Sequence, residues 1–162
     1  HPPLVVLNAG PIEHFDSWDI HNEGTQPAVR RVQDALDGER IAVREALGYG
    51  APHYPLRDHY EPGGEEWMYG AAAHERLVDS ADWREPIDLV HHRYVREDVF
   101  CGLALLVSIG DWLEMELPVA RGLLAVAQAF AGAGAETRTL ERLGLSERSP
   151  AELRRLLESG LG

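Results

Sequence analysis

The sequence predicts a mainly α-helical fold. Apolar residues recur at the spacing of an amphipathic helix over residues 27–47, and proline and capping patterns mark helix starts elsewhere. No stretch shows the apolar–polar alternation of a half-buried strand. With 162 residues, 44% of them hydrophobic, the chain has the size of one ordinary domain with a real core. We therefore expect one compact multi-helix domain over residues 1–162.

The first element is a short apolar segment at residues 4–7. Over so few residues, periodicity cannot distinguish a buried strand from a short helix, so both remain open. Residues 8–11 (Asn-Ala-Gly-Pro) are turn formers and predict that this element stops there. Residues 12–24 mix aromatic and charged side chains, which predicts a short element followed by a loop.

Residues 27–47 predict the longest helix. Thr25 is the expected N-cap, and Pro27 lies in the first turn, where its missing N–H costs little. Gly48 and Gly50 predict the C-terminal end. The apolar face consists of Val29, Val32, Leu36, Val43 and Leu47.

Prolines and glycines divide the rest of the chain. Residues 49–64 predict a loop with one helical turn around 56–60. A short helix at 150–158 is predicted by the capping-box spacing of Ser149 and Glu152, with Pro150 at the first helical position. Composition predicts further helices at 65–78, 103–109, 119–130 (opened by Pro118 and expected to be buried on most sides) and 139–143, with a flexible connection at 131–135.

Charge and cysteine content exclude several classes of protein. The 27 acidic residues outnumber the 15 arginines, and a net charge of -12 argues against nucleic acid as the main partner. Cys101 is the single cysteine, so no intrachain disulfide can form and a cytoplasmic location is expected. Because no apolar run reaches the roughly 18 residues that span a bilayer, we expect no membrane partner.

The stretch richest in chemistry is residues 91–103 (HHRYVREDVFCGL). It brings imidazoles, guanidiniums, a phenol and two adjacent carboxylates to the entrance of the apolar segment 103–109. Charged groups there are costly to desolvate, so such a cluster indicates ligand binding. The adjacent side chains of His91 and His92 point apart and no companion ligand has a metal-site spacing, so we expect no metal.

Six stretches occur in a fixed order from the first residue to residue 144. Together they resemble the C-terminal helical domain of opine dehydrogenases of the octopine/nopaline type. The resemblance implies a helical fold similar to the C-terminal domain of 6-phosphogluconate dehydrogenase. The stretches are His1-Pro2 with LNAGPIE at 7–13, EGT at 23–25, LDGER at 36–40, RYVREDV at 93–99, Gly102-Leu103 with Pro118, and RTLERLG at 138–144.

The resemblance implies a role in an NAD(P)-dependent opine-type dehydrogenase. Such enzymes condense an amino acid or amine with an α-keto acid and reduce the imine, or run the reverse oxidation. This sequence has no GxGxxG turn to hold a pyrophosphate. We therefore expect NAD or NADP to be bound by an N-terminal Rossmann domain upstream of residue 1, and no cofactor-binding residue here. The resemblance also suggests a homodimer formed through apolar helices.

The resemblance further implies three site residues. His1 corresponds to the family's catalytic histidine, and an imidazole with a pKa near ~6.5 can donate and recover a proton at neutral pH. Arg93 corresponds to the arginine that binds the substrate carboxylate, which its planar fork can hold bidentately. Asp98 corresponds to an acid facing the substrate's cationic end. Because Arg93 and Asp98 are five positions apart, an α-helix would place them on different faces, so we expect a loop or helix start to bring them together.

Plainer interpretations stay open at this point. His1 could be only a residue at a cut end, and Asp98 could pair with Arg93 and cap the following helix. Two other functions also remain: a non-redox helical scaffold or dimerisation module, and a stand-alone acid–base enzyme on the same scaffold. A Rossmann pattern immediately upstream of His1 would distinguish the dehydrogenase from both.

Overall fold

The regular secondary structure of the described residues is entirely helical. The computed structural model describes residues 1–68, 84–132 and 136–160, and these ranges contain no β-strand. The predicted mainly α fold is confirmed. In chain order the elements are α1 (Pro2–Leu7), α2 (Ala9–His14), α3 (Pro27–Ala46), a 3₁₀ helix (Leu56–His59), a π-helix (Tyr94–Leu103), α4 (Ala104–Trp112), α5 (Pro118–Ala131) and α6 (Pro150–Ser159).

The N-terminal segment is a pair of short helices. Residues 4–7 belong to helix α1, which resolves the strand-or-helix question. The prediction that the first element stops at residues 8–11 is confirmed, because α1 ends at Leu7 with Asn8 as its C-cap, but residues 9–11 already belong to the next helix, α2. Pro11 is tolerated there because the first N–H groups of a helix have no intrahelical partner in any case.

Helix α3 confirms the predicted long helix, with a different cap. Gln26, not Thr25, precedes the first helical residue, and Gln26 makes no side-chain cap. The hydroxyl of Thr25 instead donates to the carbonyl of Ile20 at 2.6 Å and so ties down the preceding loop. At the other end Gly48 has φ +83, a conformation that favours glycine and turns the chain away.

The π-helix lies at the centre of the hydrophobic core. Tyr94, Val95, Val99 and Phe100 all point inward, and the π-helix packs against α1, α4 and α5. Burial of these four side chains leaves Arg93 exposed on the outside of the same element. The core therefore fixes the orientation of the charged motif. Its other members are Leu4, Val5, Val6, Ile20, Val43, Leu103, Val107, Leu117, Ala120, Leu123 and Ala127.

Helix α5 starts at Pro118 as predicted but is not buried on most sides. One face carries the buried residues Ala120, Leu123 and Ala127, while Val126 on the other face is 52% exposed. The carboxylate of Glu39 on α3 accepts hydrogen bonds from the first free N–H groups of α5, at 2.8 and 2.9 Å.

The remaining predictions have mixed outcomes. The helical turn near residues 56–60 and the capping box of α6 are confirmed. Residues 65–68 are not helical, and the rest of the predicted 65–78 helix lies outside the described residues, as do 133–135 of the predicted connection. Residues 139–143 form turns rather than a helix.

Among residues 1–68, 84–132 and 136–160, no helix has the length and apolar character needed to cross a bilayer.

Candidate functional site

The motif at residues 93–99 lies at the start of the π-helix. In a π-helix hydrogen bonds connect residues five apart, so residue 98 comes about one turn after residue 93. An α-helix would have rotated the two side chains apart. As expected, Arg93 lies at a helix start, as the N-cap of this helix, and its charge interacts with that of Asp98. Asp98 is also inside this helix and does not cap α4.

His1 and Asp98 form a direct pair. Nδ1 of the imidazole lies 2.6 Å from Oδ2 of the carboxylate, and the two side chains are 36% and 40% exposed. A carboxylate on one ring nitrogen fixes the tautomer and leaves Nε2 for proton exchange. The contact joins two of the three residues that the resemblance marked.

Tyr94 is the platform beneath this pair. Its ring is 1% exposed and stacks on the His1 imidazole, with centroids 3.8 Å apart and planes inclined by 17°. The Arg93 guanidinium lies 4.9 Å from the same ring centroid, and its Nη2 donates to the Tyr94 hydroxyl at 3.4 Å. Tyr94 was not predicted from the sequence as a site residue. Its place beside Arg93 was visible, but its contact with His1 was not.

A polar network surrounds the Tyr94 hydroxyl. Burial raises the pKa of Tyr94, and its hydrogen bond to the Glu85 carboxylate raises it further, so the phenol stays protonated. Burial also acts to raise the pKa of Glu85, but hydrogen bonding to Tyr94 and the nearby charges of His92 and Arg93 leave it below its usual value. Nε2 of His92 lies 3.6 Å from Glu85.

Arg93 is held as a cation within this network. Its hydrogen bond to Tyr94 raises the pKa of the guanidinium, and the carboxylates of Glu85 and Asp98 add smaller contributions in the same direction. An arginine in this setting keeps its charge at every physiological pH. Its remaining N–H donors can therefore serve an anionic ligand.

His21 is a second imidazole at the site. Its ring meets the edge of His1 at 5.6 Å and lies 6.1 Å from Tyr94. Burial lowers the pKa of His21, repulsion from His1 lowers it further, and the carboxylates of Asp19 and Glu85 oppose the shift. The lowered pKa favours the neutral form of His21 near pH 7.

One cleft connects these groups. A cavity of about 530 Å³ is lined by His1, His21, Arg93 and Tyr94. Asp98 is not among the lining residues, so it contacts His1 from outside the cleft. The opposite wall comes from α3 and from the segment around the 3₁₀ helix. It includes Gln33, Asp37, Arg40, Tyr54, Leu56 and Tyr60.

A metal was not expected from the sequence. Within residues 1–68, 84–132 and 136–160, no group of three or more His, Cys, Asp or Glu side chains is arranged to hold a metal ion. His91 and His92 instead lie beside separate carboxylates, Asp88 and Glu85 respectively.

The described residues form a helical domain that carries a histidine–carboxylate pair beside a cavity. A family model described as the alpha-helical domain of NAD/NADP octopine/nopaline dehydrogenase matches residues 1–131. The chain therefore belongs to the octopine/nopaline dehydrogenase family, which confirms the resemblance found in the sequence.

A curated relative agrees with this assignment. The chain is 30% identical over 169 aligned positions to a protein of Arthrobacter sp. (strain 1C) named opine dehydrogenase. The alignment covers 98% of this chain and 44% of that relative. The chain thus spans less than half the length of the curated relative that it matches.

Proposed function

We propose that this chain is the substrate domain of an NAD(P)-dependent opine-type dehydrogenase. The reaction is the reductive condensation of an amino acid or amine with an α-keto acid, or the reverse oxidation. Family membership supports an oxidoreductase. The observation that carries the proposal is the 2.6 Å contact between His1 and Asp98 at the cleft that Arg93 also lines.

His1 is the acid–base group in this proposal. Asp98 accepts the Nδ1–H hydrogen bond, which directs the free Nε2 toward the reacting atoms. Condensation removes both protons from the primary amine nitrogen and delivers two protons to the carbonyl oxygen, which then departs as water. A positioned imidazole can perform both transfers, and such catalysis is typically worth about 10²- to 10⁴-fold in rate.

Arg93 is the carboxylate-binding group. Both condensing substrates carry a carboxylate when the amine is an amino acid, and a guanidinium can hold one of them bidentately. The bond to Tyr94 occupies one of its five N–H donors, which leaves others for the ligand. Because Tyr94 contacts both His1 and Arg93, the proton donor and the carboxylate anchor share one rigid support.

Of NAD or NADP, the described residues can contact only the nicotinamide end, where hydride transfer occurs. His1 and Asp98 are partly exposed beside the cleft, but the sequence has no GxGxxG turn for the pyrophosphate. We assign NAD or NADP to an N-terminal Rossmann domain of the same protein, because more than half of the curated relative lies outside the alignment. When bound, the nicotinamide supplies the hydride. A homodimer and a cytoplasmic location remain predictions.

The test is turnover by the full-length protein. NADH or NADPH oxidation is followed with panels of α-keto acids and amino acids, and His1→Gln is compared with His91→Gln. His91 is the matched control because its side chain is 75% exposed and bonded to Asp88, outside the cleft. We expect kcat to fall about 100-fold or more for His1→Gln only. Unchanged turnover in His1→Gln would contradict the role assigned to His1.

A further inference from the structure

A second cavity lies against the catalytic cleft. Its volume is about 390 Å³, which is within the range of roughly 300–1,000 Å³ typical of small-molecule sites. His1 lines both cavities, so a ligand whose reacting atom is at His1 can extend into either one. Its apolar wall includes Leu36 of α3, Leu56 of the 3₁₀ helix, Leu103 of the π-helix, and Leu106 and Ile109 of α4.

The charged groups at the rim of this cavity already neutralise one another. Oδ1 of Asp37 accepts from Nε of Arg40 at 2.6 Å, and Oδ2 accepts from the backbone N–H of Leu56 at 2.7 Å. Nη2 of Arg40 donates to the carbonyls of His53 and Tyr54 at 2.8 and 3.2 Å. The pair therefore fastens the 3₁₀ segment to α3 and presents no net charge to a ligand.

We infer that this apolar cavity, the Leu106 cavity, is the subsite for an uncharged apolar substituent on the α-carbon of one of the two condensing substrates. The inference rests on the proposed function and specifies its substrate class. A guanidinium, ammonium or carboxylate entering the cavity would lose its water without gaining a counter-charge. A hydrocarbon substituent gains from leaving water and displaces no structural hydrogen bond.

The geometry divides the ligand between the two cavities. The carboxylate remains in the cleft with Arg93, the reacting carbon is at His1, and the substituent points toward Leu106 and Ile109. Either the amino donor or the keto acid can carry this substituent, because both have an α-carbon bonded to a carboxylate.

Substrate series on the full-length protein test the inference. One arm varies the amino acid through glycine, alanine, valine and leucine, with arginine and glutamate as charged competitors, at a fixed keto acid. The other arm varies the keto acid through glyoxylate, pyruvate and α-ketoisocaproate, with α-ketoglutarate as the charged competitor. One of the two substrates carries the substituent that enters the Leu106 cavity. In the arm that varies this substrate, we expect kcat/KM to rise by about tenfold per added methylene and to fall for the charged members.

A cavity-filling variant locates the effect. Leu106→Phe should lower kcat/KM for the largest apolar substituent by about tenfold and leave the smallest nearly unchanged. Leu113→Phe is the matched control, since Leu113 is also half-buried against the core but does not line the cavity. Thermal melting of both variants checks that they fold. The substrate series on the wild-type protein tests the inference even if a variant does not fold.

The outcomes separate this inference from the proposed function. Turnover that favours charged substituents in both arms, or a Leu106→Phe profile equal to that of Leu113→Phe, would overturn the subsite and leave the dehydrogenase standing. If no substrate pair is turned over, calorimetric titration with leucine, α-ketoisocaproate, arginine and α-ketoglutarate decides. Binding of an apolar ligand that Leu106→Phe weakens supports the subsite, and its absence overturns it.

Discussion

At the scale of single residues, the chemistry of the site depends on whether Asp98 contacts His1 or the substrate. A carboxylate that orients an imidazole acts through the histidine, so its loss should reduce the rate more than the binding of substrate. We expect Asp98→Asn to lower kcat by about 10- to 100-fold with a smaller change in KM, less than for a fully buried pair because both side chains are partly exposed. Steady-state kinetics of the full-length variant measure both constants.

The neighbouring acid provides the control for this prediction. Glu97 is exposed on the same helix, one residue from Asp98. Glu97→Gln should therefore keep the wild-type kcat. If Asp98→Asn instead raised KM for the amine and left kcat unchanged, Asp98 would contact the substrate cation, as the family resemblance first implied.

Gln33 shows that a buried polar group can be tolerated at a stability cost. Its side chain is 6% exposed, and Oε1 has no hydrogen-bond partner among the described residues. Leaving such an atom unpaired costs about 1–3 kcal/mol. We expect Gln33→Leu to raise the free energy of unfolding by about 1 kcal/mol, measured by urea denaturation.

Gln128, a surface glutamine on helix α5, provides the control for that measurement. Gln128→Leu on α5 changes an exposed side chain and should shift the free energy of unfolding by less than about 0.5 kcal/mol. A loss of stability in Gln33→Leu would show that the Gln33 amide makes a hydrogen bond in solution.

The site residues differ in how far the sequence could predict them. His1 and Arg93 could be named from family motifs, because each lies in a recognisable stretch. Tyr94 and Gln33 could not be assigned a role, since each matters through contacts made only after folding: the ring of Tyr94 beneath His1, and the amide of Gln33 in the cleft wall. The spacing of residues along the chain gives no information about contacts between residues that are far apart in the sequence.

At the scale of elements, the sequence predicted the long amphipathic helix well and several short elements poorly. Residues 27–47 were predicted almost to the residue because their apolar face repeats at helical spacing. No helix was predicted over residues 94–102, because the charged motif was placed before a helix that starts at residue 103. Sequence also does not distinguish an α-helix from a π-helix, since the two differ only in which carbonyl each N–H meets. That difference decides where Asp98 points.

The turn before the π-helix gives an element-scale prediction about pH. Oδ1 of Asp88 accepts backbone hydrogen bonds from Val90 and His91 at 2.7 and 2.8 Å, and these bonds lower the pKa of Asp88 to about 2. A lowered carboxyl pKa stabilises the fold above the unfolded value of 3.8, and this contribution is lost as the pH falls toward about 2. Asp88→Asn should therefore lose less stability between those two values than the wild type.

Denaturation midpoints recorded at several pH values across this window measure the effect. The asparagine oxygen can still accept both backbone bonds, so the turn should persist in the variant. Asp34→Asn on the exposed face of α3 serves as the control and should follow the wild-type profile. Equal profiles for Asp88→Asn and the wild type would contradict the assigned role of Asp88.

At the scale of the whole molecule, the site exists because the core brings distant segments together. His1 and Asp98 are 97 positions apart, yet the packing of α1 on the π-helix places them in contact. The sequence left residues 4–7 open between strand and helix and did not predict the π-helix, so neither these two elements nor their packing could be derived from it. The partial exposure of both side chains also fits a site that a second domain completes, as the proposed function requires.

The exposure of His1 leads to a prediction for the whole molecule: bound ligands should protect His1 from chemical modification. In the full-length protein, diethylpyrocarbonate should modify His1, because its side chain is 36% exposed. NADH together with a keto acid should slow this modification in proportion to the fraction of sites occupied, because the ligands and the closing domain cover the free Nε2.

Peptide mass mapping separates His1 from the other seven histidines. His91, which is 75% exposed and outside the cleft, should react at the same rate with and without ligands. Equal rates at His1 with and without ligands would place the reacting centre elsewhere on the protein.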